Sequence, residues 1–176
     1  MAVKRGDLTE HFSRSEFKCK CGKCGRDDID RAFVNRLEDI FQYLEKCEKG
    51  CKYIFVTSGI RCPKYSVSVG GMENDMHTLG RAADIVVIDA NDNYYNPFEI
   101  AAVAELFGLG GIGIMDGACH VDDREKGGYA NKKWYGDERN GKTYSTFVQY
   151  LPAAKVINKH KIALSLDGKT IFESEV

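Results

Sequence analysis

Apolar residues recur at helical spacing in one segment near the start of the chain. They lie between residues 29 and 44, at Ile29, Phe33, Leu37, Ile40, Phe41 and Leu44. Spacings of three and four residues place side chains on the same side of a helix, where they can pack against a core. Asp27 or Asp28 can cap the start of this helix, and Gly50 is a typical stop signal beyond its end. The pattern therefore predicts a first helix with one buried face.

A second helix is predicted by the capping signal at residues 96–99, Asn-Pro-Phe-Glu. Asn96 can accept a hydrogen bond from the first turn, Pro97 suits the first helical position, and Glu99 can reach back to the cap. The apolar residues that follow at helical spacing are Ile100, Val103, Ala104 and Phe107. Gly108 is the expected end of this helix.

Short β-branched and aromatic runs predict four strands. They lie at residues 53–57, 82–88, 112–115 and 119–122. The last two flank a turn at Asp116 and Gly117, whereas residues 64–81 show little periodicity and are expected to form a loop. Because helices and short strands follow one another without regular strand–helix alternation, we expect an α+β protein.

The C-terminal part of the chain carries one clear signal. Residues 162–166 and 169–172 flank Asp167-Gly168, a dipeptide that favours a tight hairpin turn. With 176 residues and 43% hydrophobic content, the chain can bury one ordinary core. We therefore expect a single domain, with residues 141–176 forming an extension that packs its hairpin on residues 1–140.

Charge and hydropathy exclude several classes of function. The formal net charge is -1, so no overall field attracts the chain to nucleic acid or to an anionic membrane surface. No stretch approaches the roughly 18 apolar residues of a membrane helix, and the N-terminus lacks the apolar core of a signal peptide. We expect a protein made in the cytoplasm without a signal peptide, whatever its place of action.

Seven cysteines are many for a cytosolic chain of this size, and an odd number cannot all form internal disulfides. Cys19, Cys21 and Cys24 form a Cys-x-Cys-x-x-Cys cluster. A structural zinc site usually has four ligands, and the fourth could come from Cys62 or from the pair Cys47 and Cys51. Because no second paired cluster follows, the sequence favours reduced thiols or one disulfide over a metal site. A cysteine-rich metal or redox protein remains a third hypothesis.

The segment with the most distinctive chemistry spans residues 75–84. It places His77 in a polar loop and Asp84 at the start of an apolar strand, where an unpaired carboxylate is costly. His120 lies on another short strand near a turn. Three such ligands plus water give an open, catalytic zinc site. On spacing alone, a turn histidine and an aspartate that caps the backbone remain alternatives.

Five sequence motifs follow one another between residues 57 and 134. They are Thr-Ser-Gly-Ile-Arg-Cys-Pro (57–63), Val-Gly-Gly (69–71), His-x-x-Gly-Arg-Ala-Ala-Asp (77–84), Gly-Gly-Ile-Gly (110–113), and His-Val-Asp-x-Arg (120–124) with Trp134. In this order they resemble the zinc D-Ala-D-Ala carboxypeptidase family (peptidase M15), above all its small branch from bacterial and bacteriophage genomes. The opening residues 11–19 are also similar to the start of that branch, so the resemblance covers residues 8–134.

The resemblance implies roles for individual residues. The ligands that it implies for one catalytic Zn²⁺ are His77, Asp84 and His120. Arg61 matches the family arginine that steadies the substrate carbonyl as negative charge develops, although a salt bridge that caps its loop is the alternative. The family usually has a carboxylate base shortly before its last zinc histidine, but residues 117–119 contain none. We therefore assign Asp116 as the general base and Asp122 as the residue that orients a ligand, with a simple strand-end carboxylate as the alternative for Asp122.

The implied protein is a zinc metallopeptidase that hydrolyses peptidoglycan stem peptides, as a D,D-carboxypeptidase or an endopeptidase of endolysin type. The implied catalytic domain, residues 1–140, has the compact α+β fold shared with the Hedgehog signalling domain, an antiparallel sheet with packed helices. The expected partner is the peptidoglycan peptide, reached if the protein is released to the cell wall, with neither nucleic acid nor membrane insertion. The alternative function is a zinc-containing module that binds cell wall or protein without catalysis.

Overall fold

A computed structural model describes residues 6–129, 132–147, 149 and 150, and the backbone of two further strands at residues 162–166 and 169–174. The helices are α1 (Arg31–Glu45), α2 (Pro63–Ser68) and α3 (Pro97–Leu106), preceded by a short 3₁₀ helix at Arg14–Phe17. The strands are β1 (Tyr53–Ser58), β2 (Ala82–Ile88), β3 (Gly111–Ile114), β4 (Cys119–Asp122), β5 (Trp134–Asp137), β6 (Lys142–Tyr144), β7 (Ile162–Leu166) and β8 (Lys169–Ser174). No helix in this described part is long and apolar enough to cross a membrane.

The central feature is a six-stranded sheet in the order β1-β2-β4-β3-β5-β6. Its neighbours are antiparallel except β3 and β5, which are parallel. The α+β class is thus confirmed, but the expectation of an antiparallel sheet is wrong in this one pair. β5 begins beside the start of β3, where Trp134 N donates to Gly110 O at 2.9 Å, and the two strands then run in the same direction. The specific likeness to the Hedgehog-type fold stays a prediction.

The core lies between this sheet and the helices. The whole predicted apolar face of α1 is buried, and α3 packs against β3 and β4. Burial of each large apolar side chain contributes about 1.5–3 kcal/mol. The largest side chains that are fully enclosed in this core include Phe12, Phe17, Phe33, Leu37, Ile40, Ile85, Ile112 and Tyr150.

Two local expectations differ from the structure near the site. The cap of α1 is Asp30 rather than Asp27 or Asp28, and its side chain accepts a hydrogen bond from Phe33 N at 3.0 Å. Contacts distant in sequence fix this start, because the Asp30 carboxylate also lies 2.6 Å from the Arg81 guanidinium. The short helix α2, which begins at Pro63, occupies the first part of the loop expected at residues 64–81.

The two strands of the predicted C-terminal hairpin are present. β7 and β8 pair antiparallel in a sheet of their own, whereas the expected turn at residues 167–168 lies outside the described residues. β6 pairs with β5 just beyond residue 140. The domain boundary at residue 140, and the packing of the extension on the rest of the chain, stay predictions.

The capping box of α3 gives a direct test of the fold. The Asn96 side chain accepts a hydrogen bond from Phe98 N at 3.0 Å, and the Glu99 carboxylate accepts one from Asn96 N at 3.1 Å. Asn96→Ala should therefore lower the free energy of unfolding by about 1 kcal/mol, measured by urea denaturation. Asn91→Ala, at an exposed position, is the control and should change it by less than about 0.5 kcal/mol. Equal effects of the two substitutions would show that the cap does not stabilise α3.

Candidate functional site

The structure brings His77, Asp84 and His120 together. Asp84 of β2 lies directly opposite His120 of β4, and His77 reaches the pair from the loop between α2 and β2. Asp84 Oδ1 lies 2.9 Å from His120 Nδ1 and 3.3 Å from His77 Nε2, and the two ring nitrogens are 3.2 Å apart. All three residues are buried. They form a group whose ligand atoms lie close enough to share one metal ion.

The tautomer of His77 is fixed by the main chain. Its Nδ1 lies 2.7 Å from the carbonyl oxygen of Gly59, which can only accept a hydrogen bond. Nδ1 therefore carries the proton, and the Nε2 lone pair faces Asp84 and His120. Gly59 is required here because a Cβ atom would come within 2.6 Å of the Phe17 backbone. The turn after β1 thus places the carbonyl that orients the first histidine.

Asp122 lies beside the outer nitrogen of His120. His120 Nε2 is 3.2 Å from Asp122 Oδ2 and Nδ1 is 2.9 Å from Asp84 Oδ1, so Nε2–H can donate to Asp122 while Nδ1 faces Asp84. Arg124 holds the same carboxylate through Nε and Nη2, at 3.0 and 2.5 Å. Burial would raise the pKa of Asp122, but His120 and Arg124 lower it to about 2. The contact predicted for Asp122 as an orienting residue is therefore present.

The three atoms that face one another, His77 Nε2, Asp84 Oδ1 and His120 Nδ1, need a positive charge among them. Burial would raise the pKa of Asp84, but hydrogen bonds to His120 and His77 hold it below its usual range. Burial would lower the pKa of His120, yet Asp122 and Asp84 raise it to about 10. With its Nε2–H given to Asp122, the neutral His120 ring would turn a lone pair toward the ionised Asp84. Either a proton or a metal cation must therefore lie between them.

Arg61 adjoins this group on the loop after β1. Its Nη2 lies 2.5 Å from Asp84 Oδ2, and its Nε donates to Ser58 Oγ at 2.9 Å. The salt bridge considered for Arg61 is therefore present, and its partner is Asp84. Arg61 also lines the open cleft above the histidines, so it faces both the buried carboxylate and the space for a ligand.

The cleft has a volume of about 650 Å³, within the usual range for ligand sites. Trp134 lies edge-on to the His120 ring at 5.9 Å, and the Arg124 guanidinium lies 5.1 Å from the Trp134 ring centre. Other residues of the wall include Met72, Asp75, Met76, Tyr129 and Glu138. Sequence reasoning missed Tyr129 and Glu138, because they flank a strand, β5, that carries no alternating pattern.

Asp116 is placed differently. It is exposed in the turn between β3 and β4 and lines an adjoining pocket with Asn96, Phe98 and Arg139. It does not line the cleft that contains His77, Asp84 and His120. Of the assigned site residues, the structure thus brings together His77, Asp84, His120, Arg61 and Asp122, and it separates Asp116 from them.

Comparison with known proteins supplies the family. No curated protein sequence matches the chain. The family model described as Peptidase M15 matches residues 10–122. This range contains all three residues of the buried histidine–aspartate group and ends at Asp122, which contacts His120. The match covers more than half of the chain, which therefore belongs to the peptidase M15 family.

Proposed function

We propose that this chain is a zinc-dependent peptidase that hydrolyses peptide bonds in peptidoglycan stem peptides. The observation that carries the proposal is the convergence of two imidazole nitrogens and one carboxylate oxygen within 3.3 Å of one another. Each histidine directs its proton to another partner, which leaves lone pairs facing the centre. Two nitrogens and one oxygen are a normal donor set for catalytic zinc, with a fourth position left for water or substrate. Zinc dependence is general among M15 peptidases.

The surrounding residues support this assignment of the metal. Gly59 and Asp122 hold the two rings by their outer nitrogens, and Arg61 holds the outer oxygen of Asp84. Such outer contacts orient zinc ligands and raise their basicity. Zinc bound to His77, Asp84 and His120 would polarise the substrate carbonyl and lower the pKa of a bound water.

Arg61 is proposed to stabilise the oxyanion of the substrate. Its Nε and Nη2 groups are engaged by Ser58 and Asp84, while Nη1 has no partner in the described part of the chain. Because the residue lines the cleft, Nη1 can donate to a carbonyl oxygen as negative charge develops there. The salt bridge to Asp84 fixes the guanidinium in advance, so little reorganisation is needed during the reaction.

Glu138 is proposed as the general base in place of Asp116. It is exposed at the end of β5 and lines the cleft of the histidine–aspartate group. The other carboxylates of that cleft are committed to hydrogen bonds: Asp84 to Arg61, Asp122 to Arg124, and Asp75 to Thr78 N. Within the described residues the Glu138 side chain has no such partner, so its carboxylate is available to take a proton from water.

Peptidoglycan is proposed as the substrate because of the ordered motifs shared with D-Ala-D-Ala carboxypeptidases. The lining of the cleft combines apolar side chains, such as Val69 and Met72, with charged ones such as Arg61 and Arg124, so it offers contacts for both the side chains and the polar groups of a peptide. Release of the terminal residue would make the enzyme a carboxypeptidase, and cleavage within the stem peptide would make it an endopeptidase. With either activity, we propose an endolysin-type role at the cell wall.

The function is tested by digesting purified stem peptides with zinc-loaded protein and reading the products by mass spectrometry. The wild-type protein should release fragments whose masses identify the bond, and His77→Ala should reduce the rate to background because a metal ligand is lost. Absence of fragments from folded, zinc-bound wild-type protein would contradict the peptidase proposal and favour a non-catalytic zinc module.

The choice of general base gives a second prediction. Glu138→Gln should lower kcat by about 10²–10⁴-fold, because general-base catalysis contributes about that much. Zinc content should be unchanged, since Glu138 is outside the proposed ligand set. Asp116→Asn is the matched control and should retain kcat. The reverse result, with activity lost only in Asp116→Asn, would restore Asp116 as the base.

The role of Asp122 gives a third prediction. Asp122→Asn should weaken zinc affinity by about 10–100-fold, because the His120 ring loses its charged outer partner. Asp137→Asn is a matched control, since Asp137 is also buried and binds Arg139 two residues later, at 2.8 Å. Competition titration with a zinc chelator measures both affinities. Equal zinc affinity in the two variants would show that Asp122 is a simple strand-end carboxylate with no part in metal binding.

A further inference from the structure

Four cysteine thiols lie close together beside the loop that carries Arg61. They are Cys19, Cys21, Cys24 and Cys62, whose sulfur atoms all lie within 4.8 Å of one another. All four are free cysteines. In a tetrahedral site with zinc–sulfur bonds of 2.3 Å, the sulfur atoms are about 3.8 Å apart. The observed cluster therefore needs only small side-chain adjustments to reach that geometry.

The main chain around Cys21 is folded as a metal-binding turn. Cys21 Sγ accepts hydrogen bonds from Lys23 N at 3.4 Å and from Cys24 N at 3.2 Å. N–H groups directed at sulfur favour the thiolate, which is the form that binds metal. Gly22 and Gly25 have φ values of 72° and 68°, a left-handed conformation that costs little only for glycine. The sequence Cys-Gly-Lys-Cys-Gly thus suits a turn with two sulfur ligands.

Two of the other three thiols have similar support. Cys19 Sγ accepts from Cys62 N at 3.3 Å, and Cys24 Sγ accepts from Arg26 N at 3.5 Å. The bond from Cys62 N joins sites 43 residues apart in the chain. A single disulfide would use two of the four sulfur atoms and leave two thiols unexplained, whereas one metal ion uses all four.

We propose that Cys19, Cys21, Cys24 and Cys62 bind a second Zn²⁺ with a structural role. Four thiolates complete a tetrahedral shell and leave no position for substrate, as in structural zinc sites. Thiolate ligands select zinc over hard cations such as magnesium and calcium. This site shares no ligand with the histidine–aspartate group, so it stands independently of the proposed catalytic metal.

The second metal would hold the loop that carries Arg61. Cys62 follows Arg61 directly, and the Arg26 guanidinium donates to the carbonyl oxygens of Arg61 and Thr78, at 3.2 and 3.0 Å. On the other side, Ile60 N donates to Phe17 O at 2.8 Å. Phe17 and Arg26, which flank the cysteines, therefore bind the main chain on both sides of the Arg61 side chain. The metal would make this N-terminal segment rigid.

The test combines metal analysis with the spectrum of cobalt-substituted protein, because cobalt bound to thiolates gives an intense near-ultraviolet charge-transfer absorption. The wild type should contain two metal ions per chain. His77→Ala should keep one ion and the thiolate absorption, whereas Cys24→Ser should keep one ion and lose that absorption. Cys24 is exposed, so serine removes little packing. Cys24→His, which restores a ligand, should recover the second ion with a weaker absorption.

Cys47→Ser is the control, since Cys47 lies outside the cluster and its thiol donates to Tyr43 O at 3.4 Å. It should retain both ions and the full absorption. One metal ion in the wild type with no thiolate absorption would overturn the second site. So would a disulfide between any of the four cysteines in an unreduced digest. A wild type that holds its single ion with full thiolate absorption would support this site and count against the proposed catalytic metal.

Discussion

The register of β2 against β4 is the constraint on which the site depends. It places the Asp84 carboxylate directly opposite His120 inside the sheet, where an ionised group is tolerated only beside positive charge. Arg61 supplies such charge on one oxygen, and the two imidazoles face the other. A slip of one residue would turn Asp84 to the other face and dismantle the group.

The scaffold and the site are consequently built from the same contacts. The turn after β1 presents both the Gly59 carbonyl to His77 and the Arg61 guanidinium to Asp84. The same turn is bound to the N-terminal segment by the hydrogen bond from Ile60 N to Phe17 O. The cysteine cluster extends this support, because Cys62 continues the same loop. Residues far from the cleft thus determine how accurately its donors converge.

Local patterns were sufficient to predict α1, α3 and the four strands β1 to β4, since each has its own periodicity or capping signal. The parallel pair of β3 and β5 was not predictable, because Trp134–Asp137 shows no alternation and its partner is chosen by packing. The motifs were sufficient to predict that His77, Asp84, His120, Arg61 and Asp122 share one site. They could not place Asp116 and Glu138 relative to the cleft, because these residues lie in the turns after β3 and β5, and the motifs do not define how those turns are oriented.

Anomalous X-ray diffraction at the zinc edge, from crystals of zinc-loaded protein, tests the proposed metal site most directly. Zinc should give a peak at about 2.0–2.2 Å from His77 Nε2, Asp84 Oδ1 and His120 Nδ1. The outer nitrogens should remain on Gly59 and Asp122. No peak at this position, or zinc held through His77 Nδ1 or His120 Nε2, would contradict the proposed site.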